Sequence, residues 1–349
     1  MSSYTLIFNQ MTYPRYFKSV LSGFLLCWVI FLLAFFYQLG VPTESSRWLD
    51  EIYKIKSTWA NSIETHKLVV VAGSNALFGI SCQMIQEKTG VPCVNGGTHG
   101  GLDSEYILSR ARSWIKPEDK VLLSIEYDLY KHDSTPRNIL VDYVIARDPK
   151  YLFNVDLITQ VRFITGISFE RVIEGILNKS KPPKQKETGY QSKTLNKYGD
   201  ETNNRKADMT EKQLKMNADL KPETSTEGAI NSSYGIKKIQ EFVQWCQTNH
   251  INVIAVWPST VWYDVYQEPS YQEYFKSLED FYKNLKIPTL GKPKDFMYDK
   301  SMFFDTNYHL NDEGMRHRTE QLIDLLKPYV GATDKVTAVP AVMKYSNSN

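Results

Sequence analysis

The sequence predicts a doubly wound α/β domain on a parallel sheet, preceded by one membrane-spanning helix. Three observations carry that prediction. Residues 20–39, "VLSGFLLCWVIFLLAFFYQL", form twenty consecutive positions without a formal charge, the length a helix needs to cross hydrocarbon. Beyond them, short β-branched runs alternate with stretches of helical spacing, the pattern of βαβ units. Turn-forming residues then punctuate the ends of the first two runs, as in "VVVAGSN" and "PCVNGG".

The elements follow in chain order. Arg15 and Lys18 precede the apolar run, while Glu44, Asp50 and Glu51 lie beyond it. The positive-inside bias therefore assigns residues 1–19 to the cytoplasm, residues 20–39 to a single-pass anchor in the inner (cytoplasmic) membrane, and the rest to the periplasmic or otherwise extracytoplasmic side. Tyr13, Tyr16 and Tyr37 suit the two interfaces. A cleaved signal peptide is the competing reading, against which the apolar core is long and no A-x-A-like site follows.

Residues 40–65 carry helical spacing at Leu49, Ile52, Ile55 and Trp59 and are expected to form a stalk helix. Residues 66–330 are expected to form the α/β domain. Its strands are predicted in "LVVVAG", "VPCVNGG", "KVLLSIEY" and "INVIAVWP", with a short further run in "IPTL". Its helices are predicted in "NALFGISCQMIQEKTG", ended by Gly90, then in "LDSEYILSRARSWI", "SYGIKKIQEFVQWCQTNH" and "YQEYFKSLEDFYKNL". Residues 178–232 hold eleven basic and eight acidic side chains but only two aromatics, Tyr190 and Tyr198. Such a segment cannot bury enough apolar surface to order itself alone, so it reads as a flexible insertion, with a lid over the site as the functional alternative. Residues 331–349 read as a disordered tail.

Composition narrows the function. With 41 basic and 39 acidic residues the formal charge is +2, so no global field marks a nucleic-acid partner. Cys27 lies in the apolar run, and Cys82, Cys93 and Cys246 show no metal-ligand spacing. Buried small hydrophobes are the favoured reading of these cysteines, with a Cys82–Cys93 disulfide as the alternative. No metal and no cofactor is implied.

Chemistry gathers at three predicted strand ends: Gly73-Ser74-Asn75, "NGGTHGG" from Asn95 to Gly101, and "FFDTNYHLNDEG" from Phe303 to Gly314. Acyl transfer from an ester needs a nucleophile, a base, a group that orients the base, and donors for the oxyanion. Ser74, His309 and Asp305 can fill the first three roles, and Asn311 can cap the helix that follows them. Gly100, Asn75, Asn95 and His99 are the candidates for oxyanion or substrate contacts, Gly100 because glycine admits close backbone approach.

Serine after the first strand, Asn-x4-Gly after the second and Asp/His near the C-terminus together resemble the SGNH (GDSL-type) hydrolase superfamily, over residues 66–127 and 233–330. With an N-terminal anchor and "YHLNDEG" the chain is most similar to the membrane-anchored SGNH-like proteins of cell-surface polysaccharide O-acetylation and of teichoic-acid D-alanyl transfer. The resemblance implies a flavodoxin-like three-layer sandwich, acyl-ester chemistry on a cell-surface glycan, and a multi-pass membrane acyltransferase as partner. It places the nucleophile on Ser74, the oxyanion glycine on Gly100 and the base on His309.

The chain departs from the family pattern at three points. Matched without a gap on Gly73, the nucleophile position falls on Asn75, whereas matching on the strand end keeps Ser74. Glu126-Tyr127-Asp128 stands where the family has Gly-x-Asn, and Asp305-x3-His309 is one residue longer than the family's Asp-x2-His. Two readings of function follow: an anchored serine O-acyltransferase or carbohydrate esterase, and a non-catalytic SGNH-like module that binds glycan or scaffolds a membrane acyltransferase. A serine-to-strand-end register separates them.

Overall fold

The computed structural model describes residues 13–180, 190–230 and 232–330. The expected tail at 331–349, and residues 1–12 of the N-terminal segment expected to be cytoplasmic (1–19), lie outside the described residues. One apolar helix, α1 (Tyr13–Tyr37), has the length and composition to cross a membrane. It is followed by α2 (Glu44–Ser62), the element expected to be a stalk. It is instead a part of the body: Leu49, Ile52 and Tyr53 are buried in the core, and Lys56 Nζ donates to the carbonyls of Asn95 and Gly199 at 2.7 Å each.

The remaining elements alternate. Strand β1 (Leu68–Val71) leads into α3 (Ser74–Gly79) and α4 (Cys82–Thr89), then β2 (Cys93–Asn95), α5 (Asp103–Arg112) and β3 (Lys120–Leu123). Four helices come next: α6 (Tyr127–Tyr130), α7 (Asn138–Arg147), α8 (Leu157–Gly166) and α9 (Phe169–Asn178). After α10 (Glu211–Ala218) and α11 (Tyr234–Thr248) come β4 (Asn252–Val256), β5 (Thr260–Val261), α12 (Pro269–Asn284), β6 (Thr289–Leu290), β7 (Met297–Tyr298) and α13 (Asp312–Val330).

Five strands form one parallel sheet in the order β2-β1-β3-β4-β6, and β5 pairs with β7 apart from it. Every residue of β1 and β2 is buried, so both faces of the sheet are covered, as a parallel sheet requires. The chain moves one way from β1 to β2 and the other way from β2 through β3 and β4 to β6. Because such crossovers are right-handed, α3 and α4 lie on the face opposite α5, α11 and α12. Helix α13 packs with α3 and α4, while α5 and α11 pack on each other. The reversal puts a crevice outside the carboxyl ends of β1 and β3, where ligands of such sheets bind.

Three expectations change. The single helix predicted after β1 is two, broken at Ile80-Ser81, where the Ser81 hydroxyl accepts from the Met84 amide and starts α4 anew; Gly90 does end it, at φ 76°. Cys82 and Cys93 are joined as a disulfide, with Cα atoms 5.1 Å apart, because the new helix start and the neighbouring strand bring them within bridging range. The insertion, outside residues 181–189 and 231, is not loose. Asp200 accepts from the amides of Cys82 (2.8 Å) and Gln83 (3.0 Å), and Asn204 donates to Leu310 O at 2.9 Å. Polar bonds to buried backbone hold it down, together with a few partly buried apolar residues such as Leu195, Tyr198, Leu220 and Ile230 that pack on the core.

Candidate active site

Strand β1 ends at Val71, earlier than either register considered for the serine loop. Gly73 is the N-cap of α3 and Ser74 its first residue. Asn75 is wholly buried. Its amide nitrogen donates to Ser124 O (2.7 Å), and its oxygen receives the Ser124 hydroxyl (3.0 Å) and both terminal nitrogens of Arg318 (3.2 Å each). Asn75 is thus a support, not the substrate contact expected, and the half-buried Ser74 is the side chain that the loop presents outward.

Beneath this loop lies Glu126, at the position where the SGNH resemblance leads one to expect the glycine of Gly-x-Asn. Its carboxylate accepts from Gly73 N (3.0 Å) and Asn75 N (2.9 Å), occupying two of the amides free at a helix start. Burial pushes this carboxyl up, and the bonds from Asn75 act against that. The amides of Ser74 and Gly100 make no hydrogen bond among the described residues.

The second loop is closed tightly. A Cβ on Gly97 would lie 2.5 Å from Leu77 N and 2.9 Å from Gly73 O, so only glycine lets the backbone pass this near the serine loop. Gly100 is different: a Cβ there would meet nothing within 4 Å, so its need for glycine does not come from the protein itself. Arg137 steadies it, with Nη1 donating to Gly100 O at 3.3 Å and Nε paired to Asp103 at 3.1 Å. Asn95, expected among the oxyanion or substrate contacts, is buried instead. Its side chain bonds Ala76 O, Ile80 O and Asp200, and accepts from Gly97 N. It ties the helix break to the second loop and has nothing left for a ligand.

The third loop brings Asp305 and His309 together. Asp305 Oδ1 and His309 Nδ1 are 2.7 Å apart, and both residues are buried. The extra residue in Asp305-x3-His309 is accommodated by a turn in which Phe304 N donates to His309 O at 2.8 Å. Asn311 accepts from Gly314 N (3.0 Å) and caps α13. The imidazole stacks on Phe78, with ring centres 4.1 Å apart and planes 15° apart. Phe78 is four residues after Ser74 in the same helix, so the two share a face one turn apart. His309 therefore lies against the face of α3 that begins at Ser74, and no described residue bonds its Nε2.

Tyr190, unassigned in the sequence, completes the cluster. Its hydroxyl donates to Asp305 Oδ2 at 2.7 Å and lies 3.2 Å from His309 Nδ1. Burial alone pushes the Asp305 carboxyl up; the hydrogen bonds from His309 and Tyr190 outweigh it and hold Asp305 below the usual carboxylate range. The available signal was isolation, since Tyr190 is one of two aromatics in a long polar segment. Trp48 of α2 packs between Tyr190 and His99, at ring distances of 5.4 and 6.2 Å.

His99 is at the same site. Its Nδ1 accepts from Gly101 N at 2.9 Å, which leaves Nε2 as the carrier of the proton in the neutral ring. Burial, with the positive fields of His309 and Arg137, pulls its pKa to about 4. Beside Tyr190 and Asp305 opens a cavity of ≈ 700 Å³, lined in part by Phe78, Thr194, Lys212 and Phe304. Among the described residues no group of three or more His, Cys, Asp or Glu is placed to hold a metal ion.

No family model matches this chain, and no curated protein does. The chain is similar to a solved structure from Streptococcus pneumonia described, provisionally, as a platelet activating factor: 12% identity, TM-score 0.35, spanning 81% of this chain and 94% of that one.

Proposed function

We propose that the protein is a membrane-anchored, extracytoplasmic serine O-acyltransferase or esterase that acts on a cell-surface polysaccharide or another acyl-carrying glycan. The observation that carries this reading is His309, bonded through Nδ1 to a buried Asp305 and stacked on the helix face that begins at Ser74. The finer fold, a flavodoxin-like three-layer sandwich, is supported by the strand order, which numbered within the sheet runs 2-1-3-4-5. The extracytoplasmic location is supported by Arg15 and Lys18, which precede the apolar run within α1, and by the Cys82–Cys93 disulfide, a bond typical of oxidising compartments.

In this mechanism the Ser74 hydroxyl attacks the acyl carbonyl while His309 Nε2 takes its proton. Asp305 holds the imidazole in the Nδ1–H form and stabilises the imidazolium. The oxyanion is received by the amides of Ser74 and Gly100. Collapse returns the proton from His309 to the departing alcohol and leaves an acyl-serine. An acceptor hydroxyl, or water, then gives its proton to His309 and attacks that ester, releasing Ser74. Transfer is favoured over hydrolysis because tethering raises the effective concentration at a membrane-embedded acyl donor, a multi-pass acyltransferase.

The scaffold reading draws on Glu126, which takes two amides of the serine loop in a chain that lacks the third-block donor. One experiment separates the two. The full chain in detergent should turn over a chromogenic acetyl ester, and Ser74→Ala should abolish turnover while leaving thermal unfolding unchanged. Turnover that survives Ser74→Ala overturns the assignment.

A further inference from the structure

Helix α9, which packs on α1, and the preceding α8 expose much of their apolar surface. In α9, Phe169, Ile173, Ile176 and Leu177 recur at helical spacing and are all exposed, Phe169 at 77%. The opposite side, with Arg171, Val172 and Gly175, is the buried one. Helix α8 repeats the pattern with Leu157 (73% exposed), Ile158 and Val161 outward and Thr159 and Phe163 inward. An amphipathic helix in water turns its apolar stripe to the core. These two turn much of it away.

The exposed residues are also concentrated. Among the described residues outside α1, nine of the twelve large exposed hydrophobics lie between Ile139 and Leu177, far more than the scattered single residues normal for a surface. The position of α9 is fixed relative to α1, and α8 precedes it directly. Arg171 Nη1 donates to Gln38 Oε1 (2.7 Å) and Nη2 to Val41 O (3.3 Å), while Lys179 Nζ donates to Tyr37 O (2.7 Å) with the Tyr37 ring centre 3.8 Å away. Phe31 and Phe35, inside the apolar run, pack against the same body. From Phe31 to Tyr37 a helix rises roughly 9 Å, so the body overlaps the outer end of the span by about the depth that interfacial helices occupy, roughly 5 to 10 Å.

We infer that the outward faces of α8 and α9 seat in the outer boundary of the phospholipid bilayer, holding the α/β domain against the membrane surface in one orientation. Continuity with α1 selects lipid as the occupant: a face joined to the end of a spanning helix at this depth meets acyl chains without any further partner. Exposed Lys150 and Lys179 bracket the segment, where ammonium groups can reach headgroups. The inference rests on α1 being an uncleaved anchor.

The test uses the full chain with Cys27→Ser, since Cys246 is buried and the other two cysteines are bonded. An environment-sensitive fluorophore is attached at Phe169→Cys, Leu177→Cys, the exposed polar Glu273→Cys and, within the span, Phe24→Cys. The protein is reconstituted in phosphatidylcholine–phosphatidylglycerol vesicles, with nitroxide lipids or iodide as quencher. Labels at 169 and 177 should be quenched by lipid and shielded from iodide, as at 24, with the reverse at 273. If 169 and 177 behave like 273 while 24 is lipid-quenched, the anchor stands and the surface proposal fails. If 169 and 177 are shielded from both quenchers, a second copy covers the face and lipid is ruled out. If 24 itself is reached by iodide, the anchor reading fails, and this inference with it.

Discussion

Two polar clusters flank the serine loop and differ in whether they are closed. Below the loop, Arg318, Asn75, Ser124 and Glu126 bond chiefly to one another and to backbone: both terminal nitrogens of Arg318 are engaged, with Asn75, Ser124 Oγ, Ser259 Oγ and Trp257 O. Above it, Asp305, His309 and Tyr190 satisfy one side of the imidazole and leave Nε2 free. Burial charges both clusters the same desolvation cost. The lower cluster spends its groups on itself and on backbone, Arg318 Nε excepted, and yields rigidity; one that keeps a basic nitrogen in reserve can move a proton. Residue type does not make that distinction, since each contains an ionised side chain at full or near-full burial.

The sharpest way to break this comparison is to remove the open group. His309→Ala should lower ester turnover by about 10⁴-fold or more, and adding Ser74→Ala should cost little further, because residues that act as a unit are not additive. Steady-state rates of the two single variants and the double variant provide the check, and independent, multiplicative losses would separate His309 from Ser74. The closed cluster should respond in stability instead. Arg318→Met strands the partners of a fully buried guanidinium, with the buried Glu126 among the charges that attract it, and should cost about 3 to 5 kcal/mol. Denaturant unfolding measures this; a loss below 1 kcal/mol would mean that the cluster is not the brace its bonds suggest.

The same contrast explains what could be read in the sequence. The sheet was legible because β-branched runs and helical spacing reflect burial directly, and Ser74, Gly100 and His309 stood out as candidates because they fall in polar, turn-forming segments next to predicted strands or a helix start. Asn75 and Asn95 were legible as polar residues near the site but not as supports, since Arg318 and Asp200, which engage them, are distant in sequence. The insertion was misjudged because hydropathy counts apolar area, whereas Asp200 and Asn204 dock through backbone bonds. Helices α8 and α9 were passed over for a related reason: an apolar stripe facing away from the body has no core partner to predict.

Tyr190 sharpens the comparison, because it joins the open cluster from the insertion. Tyr190→Phe keeps the ring against Phe78, 5.2 Å between centres, and removes the hydroxyl with its bond to Asp305 and its 3.2 Å approach to His309 Nδ1. Turnover should fall roughly tenfold, the kinetic equivalent of one hydrogen bond to a charged group. The pH profile should move as well. That bond is among those that hold the Asp305 carboxyl low, so without it the carboxyl binds a proton more readily and the acid limb of activity shifts to higher pH. A rate loss with an unmoved acid limb would reduce Tyr190 to packing.

His99 gives the smallest effect and the finest test, because it belongs to both kinds of group: closed at Nδ1 by the Gly101 amide, open at Nε2. Its pKa falls from the ordinary 6.5 to about 4 on folding, first through burial and then through His309 and Arg137. Between those two values the unfolded chain holds the proton and the folded chain does not, so stability is lost as pH falls below about 6.5. At pH 5.5, one unit below that point, the loss is about 1 kcal/mol. His99→Gln retains an acceptor for Gly101 N–H but cannot titrate. Unfolding free energies of both proteins at pH 7.5 and 5.5 should therefore show the wild-type chain losing about 1 kcal/mol more than the variant on acidification. An equal loss in both would mean that His99 protonates freely, and a positive His99 beside His309 would disfavour the imidazolium that proton transfer from Ser74 creates.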